Sequence, residues 1–253
     1  MRVGDAVKGV RPELRLGQRV FVRQHHQAYA HCDALSDCIY PVPDDVTDEA
    51  MLLARQAIIG IHAVRTAGIG LGTSVHVIGL GVIGQLIARL AVIAGARPVS
   101  AVDHHRNRLA AVQRVAQVAP LAEDVKNEVD VVLVACGSPS AVTEGLEMTA
   151  VGGALLLVGG RAGMTSIDLT GRVFRRNVRI IGVHQTGAVG PNGDSAKWQS
   201  LLDLAVRLIR DGSLNIEGLI THHVAPSEIA SSYELLLGDK GNRIGAIIDW
   251  TID

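Results

Sequence analysis

The sequence predicts an α/β protein built on a doubly wound parallel sheet, with a second, smaller β-rich unit made from its two ends. Three observations carry that prediction. From residue 74 onward, short apolar runs alternate with runs whose apolar residues fall at helical spacing, the mark of a parallel sheet with helices on both faces. The apolar mass is aliphatic: hydrophobic residues are 48% of the 253, but aromatic residues only 3%, as in sheets buried on both sides. A glycine-rich turn, Gly79-Leu80-Gly81-Val82-Ile83-Gly84, joins the first of these strands directly to the first helix.

The elements follow in order. Residues 1–45 hold a short strand-like run, Gln18 to Val22, among turn residues such as Gly17, Pro41, Pro43, Asp44 and Asp45. Thr47 is a good N-cap, and Asp48 and Glu49 suit a positive helix end, so a helix is expected over Ala50–Arg65, ending by Gly68. Gly68 to Gly72 reads as a loop. Strands are expected at Ser74–Gly79, Pro98–Val102, Val129–Ala135, Ala154–Val158 and Val178–Val183. Helices are expected at Val82–Ala94, Arg106–Ala119, Ser140–Ala150 and Ala196–Arg210. The tail, Leu219–Asp253, mixes short strands with one helix, Pro226–Leu237, and is expected to return to the N-terminal piece. The division is thus 1–46 with 219–253 as one unit and 47–218 as the other.

Composition excludes several classes. The net charge is −1 and the pI near 6.8, which argues against a nucleic-acid partner or an electrostatically held membrane surface. The most apolar stretch, Leu80 to Ala96, is interrupted by Gln85 and Arg89, so no transmembrane helix is expected. No apolar core of a signal peptide lies in Met1–Val10, and three cysteines (Cys32, Cys38, Cys136) are no disulfide scaffold; both point to the cytoplasm.

The turn at 79–84 carries the strongest chemical signal. It closes an apolar strand, opens an amphipathic helix, and is followed by a carboxylate, Asp103, at the end of the next strand, the context of a Rossmann dinucleotide site. Gly79 permits the tight turn, Gly81 lets backbone approach a pyrophosphate, and Gly84 lets helix and strand pack closely. Leu80, Val82 and Ile83 complete the cradle, and the helix N-terminus offers N–H groups to phosphates. Asp103 can accept from the ribose hydroxyls, which favours NAD; Arg106 and Arg108 follow closely and could serve the extra phosphate of NADP. In a doubly wound sheet, Ala135-Cys136-Gly137, Val158-Gly159-Gly160 and Val183-His184 also fall at the carboxyl edge, as candidate walls of a nicotinamide pocket. Cys136 itself reads as a small buried hydrophobe.

These motifs, in this order, resemble the medium-chain dehydrogenase/reductase superfamily, the zinc alcohol dehydrogenase-like proteins. Gly17-Gln18-Arg19-Val20-Phe21 is similar to the segment closing the superfamily's GroES-like catalytic domain, and Pro43-Asp44-Asp45-Val46 to its lead-in to the linking helix. Asp130–Gly137, Gly152–Gly159 and Leu219-Ile220-Thr221-His222 resemble three further landmarks. The resemblance implies that 1–46 and 219–253 form a truncated GroES-like domain, and that 47–218 form the NAD(P)-binding Rossmann domain. It implies an NAD(P)-dependent alcohol dehydrogenase-like oxidoreductase acting on a small alcohol or carbonyl compound. It also implies a homodimer joined at the sheet edge near Val178–Val183. The departures resemble a shortened branch, the proteins like 2-desacetyl-2-hydroxyethyl bacteriochlorophyllide dehydrogenase, through Val20-Phe21-Val22 with His26 and Tyr29. The segments that usually ligate catalytic and structural zinc are not present, unless Met1 is not the natural start, and the third ligand position falls at or near Arg55, which cannot bind zinc.

The dense run from His25 to Cys38 matches no paired zinc motif, and His104-His105 and His222-His223 read as turn and strand residues, so no metal is expected. Without zinc, a carbonyl needs a side-chain proton donor. The candidates are His26 and Tyr29 from the residual catalytic domain, and His62, seven residues after Arg55 and on the same helix face. The other reading is a non-catalytic nucleotide-binding or regulatory protein derived from a dehydrogenase.

Overall fold

The computed structural model describes residues 14–32, 39–120, 128–160, 164–189, 195–237 and 243–252. Its centre is a six-stranded, wholly parallel sheet of β3 (Val75–Ile78), β4 (Val99–Val102), β5 (Ala119–Pro120), β6 (Val129–Val134), β7 (Thr149–Leu157) and β8 (Arg179–Gly182). The order across the sheet is β5-β4-β3-β6-β7-β8. The chain therefore runs outward one way from β3, then returns to start again at β6. That reversal opens a crevice at the carboxyl ends of β3 and β6, the place where such sheets bind ligands.

Two shorter strands precede the sheet: β1 (Val20–Val22) and β2 (Ile39–Pro41) form an antiparallel pair over a small core of Leu14, Val20 and Ile39. Helix α1 (Asp48–Ala67) then begins as the sequence requires. Thr47 accepts from the Ala50 N–H at 3.1 Å, and Gly68 ends the helix at φ 68°. The four β3 residues are all buried, and α2 (Val82–Ile93) packs its apolar side on them, with Ala63 and Ala67 of α1 in the same core. The opposite face of the sheet is covered by α4 (Pro139–Met148), through Ala141 and Leu146. Helix α6 (Ser195–Arg210) lies on α1, with Trp198, Leu202 and Ala205 in one core with Ala54, Ile58 and Ile61.

The first hairpin is fastened to this body at three points. Phe21 stacks on Trp198 with ring centroids 6.0 Å apart. The Tyr40 hydroxyl donates to Asp203 at 2.8 Å, and burial together with that carboxylate raises the phenol's pKa. Arg19 reaches Asp48 and the carbonyls of Pro43 and Asp44. Arg19 also lines a hollow of about 460 Å³ with Gln18, Asp45 and Thr47, to which no residue of the 79–84 turn contributes.

Several boundaries differ from expectation. The helix expected over Arg106–Ala119 stops early: α3 is Arg106–Gln113, and Ala119–Pro120 pair with Ser100 and Ala101 as β5. A residue before proline avoids helical backbone, so the apolar run 110–119 divides between helix and strand. The helix expected to Ala150 ends at Met148, because Thr149 opens a nine-residue β7. Helix α5 (Gln185–Val189) and a six-residue π-helix at Leu169–Phe174, capped by Asp168, were not foreseen. In the tail, β9 (His222–Val224) and β10 (Ala246–Ile248) form a two-stranded parallel pair around α7 (Ile229–Leu237). Among the described residues they pair with each other and not with β1 or β2.

Candidate cofactor site

The turn after β3 has the geometry a dinucleotide phosphate needs. Gly79 sits at φ +94°, and a side chain there would meet the Cys136 Cβ at 2.8 Å. A Cβ on Gly84 would lie 1.8 Å from the Gly79 carbonyl oxygen, so α2 and the strand approach to a distance only glycine allows. Gly81 is different: a Cβ there meets nothing within 4 Å. It is also the N-cap of α2, and it supplies no side-chain cap. The first N–H groups of α2 around Val82 and Ile83 therefore face an open cradle at the positive end of a twelve-residue helix. This is the observation on which a dinucleotide fits the chain: backbone donors and a space that a Cβ would fill.

Asp103 stands at the end of the neighbouring strand, and its carboxylate already has protein partners. One oxygen accepts from the Leu80 N–H at 2.7 Å and faces Arg108 at 3.4 Å; the other accepts from the His105 N–H at 2.9 Å. The two charged side chains are 7% and 8% exposed. Asp103 and Leu80 thus hold each other at the mouth of the cradle. His104 and Arg106 are exposed beside it.

The other predicted walls come together at the same edge. Ala135 N–H donates to the Ile78 carbonyl, and both Val158 and Gly159 donate to Val134. Gly159 lies so close to Cys136 that a Cβ would be 2.6 Å from its carbonyl oxygen. Val183 donates to Leu157 at 2.8 Å and is buried, while Gly160 and His184 are exposed. Gly137 is half-buried in the loop after Cys136. The run's remaining residues, 161–163, lie outside the described residues.

The proposed proton donors lie in different surroundings. His26 and Tyr29 are exposed in the segment between β1 and β2, Tyr29 to 91%. His62 is half-buried on α1; its Nδ1 lies 3.3 Å from the Thr66 hydroxyl, and its Nε2 faces Gly187 of α5. Burial and the charge of Lys197 lower its pKa, which favours the neutral ring. Arg55, on the same face of α1, donates to the Gln185 side chain of α5. Cys38 and the rest of 33–38 lie outside the described residues, so the full His25–Cys38 run cannot be placed. Among the described residues no three His, Cys, Asp or Glu side chains gather as a metal site, and the position expected for a third ligand carries the Arg55 cation, engaged by Gln185. No step below depends on a metal.

Sequence reasoning missed Gln85 and Arg89, noting them only as breaks in an apolar run. They are four residues apart on one face of α2 and are 0% and 2% exposed. Two polar residues at helical spacing on an otherwise apolar face were the available signal.

Comparison with known proteins agrees with this geometry. The family described as zinc-binding dehydrogenase matches residues 82–207. The chain belongs to the medium-chain dehydrogenase/reductase superfamily, among its zinc alcohol dehydrogenase-like proteins. Sorbitol dehydrogenase of Bos taurus is 29% identical over 209 residues, which cover 77% of this chain and 55% of that protein. The chain thus spans little more than half the length of the curated relatives it matches. L-idonate 5-dehydrogenase of Escherichia coli shares the fold at a TM-score of 0.69 and 22% identity, over 82% of this chain and 59% of that one. A zinc-binding dehydrogenase structure from Sinorhizobium meliloti 1021, bound to NADP, does so at 0.65 and 20% identity, over 76% and 57%. No described helix is long and apolar enough to cross a membrane.

Proposed function

We propose that the chain binds a nicotinamide dinucleotide and serves an oxidoreductase of the alcohol dehydrogenase type, moving a hydride between that cofactor and a small alcohol or carbonyl compound. The observation that carries the reading is the uncapped N-terminus of α2 at Gly81, open to a ligand and flanked by the Asp103 carboxylate. Gly79 to Gly84 would hold the pyrophosphate and Asp103 the adenosine ribose; Ala135–Gly137, Val158–Gly160 and Val183-His184 would border the nicotinamide, which when bound gives or takes the hydride. NAD is the favoured cofactor, on the charge of Asp103; Arg108 beside it and the exposed Arg106 leave NADP open. His62, its ring kept neutral by burial and packed on Gly187 a few residues past the carboxyl end of β8, is the best placed proton-transfer group of the three candidates, and His26 and Tyr29 would need the 14–41 region to fold over the crevice.

The remaining parts of the reading are a two-domain division at 46 and 218, a cytoplasmic location, and a homodimer through the outer edge of β8. The last is supported by β8 being the terminal strand of the sheet and by the exposed apolar residues just before it, Leu169 and Phe174. Titration of the purified chain with NADH and with NADPH, followed by nicotinamide fluorescence, tests the core of the reading. Saturable binding abolished by Gly81→Asp supports it; binding of neither cofactor sinks it. A second reading, a nucleotide-binding protein without catalysis, is favoured by the exposure of His26 and Tyr29. Cofactor-dependent turnover of any alcohol or aldehyde, lost in Gly81→Asp, would exclude it.

A further inference from the structure

A continuous, largely buried chain of polar contacts runs from the cofactor turn to the stretches just ahead of β9 and of β10. It starts at the Leu80 N–H, which Asp103 accepts, and passes to Arg108. The Arg108 guanidinium also donates to the carbonyl of Arg243 at 2.7 Å, just ahead of β10. The Arg108 carbonyl accepts from the Gln85 amide at 2.6 Å. Gln85 in turn accepts from Arg89 at 3.2 Å, and Arg89 donates to the carbonyls of Asn215 at 2.6 Å and Glu217 at 3.2 Å, just ahead of β9. Gln85, Arg89 and Arg108 are three of the few polar residues buried in the described protein. Burial lowers the Arg89 pKa to about 10, so the guanidinium is still charged at neutral pH, and a buried charge persists only where hydrogen bonds hold it.

The same segment touches the cofactor turn directly. Gly245 packs so closely that a Cβ there would lie 2.5 Å from the Leu219 carbonyl oxygen and 3.0 Å from Val82, the first residue of α2. The Gly245 carbonyl accepts from the Thr221 N–H at 2.8 Å, and the Thr221 hydroxyl accepts from the Ile244 N–H at 3.1 Å. The β9-α7-β10 unit is thereby seated on the first turn of the phosphate-binding helix.

Resting on the dinucleotide reading above, we infer that Arg108 is a positioning residue that couples cofactor binding to the returning segment, holding Asp103 to the turn with one side of its guanidinium and residues 243–248 with the other. Binding that fixes Asp103 against a ribose also fixes Arg108, and so the tail; by reciprocity an ordered tail strengthens dinucleotide binding by the same factor.

Hydrogen exchange of the full chain, read by mass spectrometry with and without saturating NADH, tests the coupling. In the wild type, NADH slows exchange in 243–249. Arg108→Met removes two charge-assisted hydrogen bonds, so NADH binds at least about tenfold more weakly, and at saturation no longer protects 243–249. Arg108→Lys, which keeps the charge, restores part of both. An Arg108 that merely supports the fold would lower the thermal midpoint and leave the NADH dissociation constant and the protection unchanged, and that result would overturn the inference. A further arm needs no cofactor: Asp103→Asn speeds exchange in 243–249 of the free protein, although Asp103 does not touch those residues. If the change stays within 78–108, the coupling is refuted. If the wild type binds neither NADH nor NADPH, the dinucleotide reading fails, and the Asp103→Asn arm still decides whether the link exists.

Discussion

Acidification should destabilise this protein in good part through one buried histidine. His76 lies in the middle of β3 with no exposed surface; its Nδ1 is 2.8 Å from the Ser100 hydroxyl, and its Nε2 is buried without a partner. Desolvation lowers its pKa from 6.5 to about 4. The unfolded chain therefore takes up a proton near pH 6.5 that the folded chain refuses until about pH 4. A histidine held neutral in this way contributes its full stability above pH 6.5 and loses it as the pH falls towards 4. Between pH 8 and pH 5 the loss is about 2 kcal/mol, rising to about 3 kcal/mol once both states are protonated. His62, also lowered, adds a loss of the same sign, so the variant must isolate His76. His76→Gln keeps a polar group for Ser100 and cannot titrate. Urea unfolding at pH 8 and pH 5 should show the wild type losing about 2 kcal/mol more than the variant. Equal losses in the two proteins would refute the reasoning. The depressed carboxyls of Asp211 and Asp249 titrate below their usual 3.8 and leave this window clear.

Further outcomes follow from the same structure. Gly81→Ala should leave the thermal midpoint unchanged, since its Cβ meets nothing within 4 Å, while weakening NADH binding in fluorescence titration by about tenfold or more, because the methyl fills the phosphate cradle. Gly84→Ala should do the opposite damage first, failing to fold or melting well below the wild type, because its Cβ would overlap the Gly79 carbonyl. Thr47→Ala should cost about 1 kcal/mol in urea unfolding through loss of the α1 cap. Tyr40→Phe removes the bond to Asp203 and should cost about 1 kcal/mol, with limited proteolysis rising first in the 14–41 hairpin.

Much of the fold was legible because it rests on local rules. The Thr47 cap, the Gly68 terminator and the apolar β6 run each carry their own signal, and the structure has all three. The turn at 79–84 was legible because strand, glycines and helix are contiguous in sequence. What failed was long-range: nothing in residues 110–119 says that Ala119 will find Ser100. The link from Arg108 to Arg243 spans 135 residues, so no window of sequence could contain it. Gln85 and Arg89 were visible but read as interruptions, since a polar residue's burial depends on partners elsewhere in the chain.

The wholly parallel sheet also sets the order in which the molecule can assemble. No two of its strands are joined by a hairpin, so every pairing must first close a long loop. Partners across β3 and β4 are 24 residues apart, as with His76 and Ser100. Those across β3 and β6 are 56 apart, as with Ser74 and Asp130. Closing the longer loop costs about 0.8 kcal/mol more in chain entropy, before the crossover helices find their seats. Collapse is favoured first within the near pairs, with partners 24 residues apart across β3 and β4, 19 across β4 and β5 and 23 across β6 and β7, and the first of these pairs holds Gly79 to Gly84 and ends at Asp103. The glycine turn then takes shape before the two halves of the sheet join at β3 and β6, so a ligand of that turn present during refolding would meet it in the isolated first half.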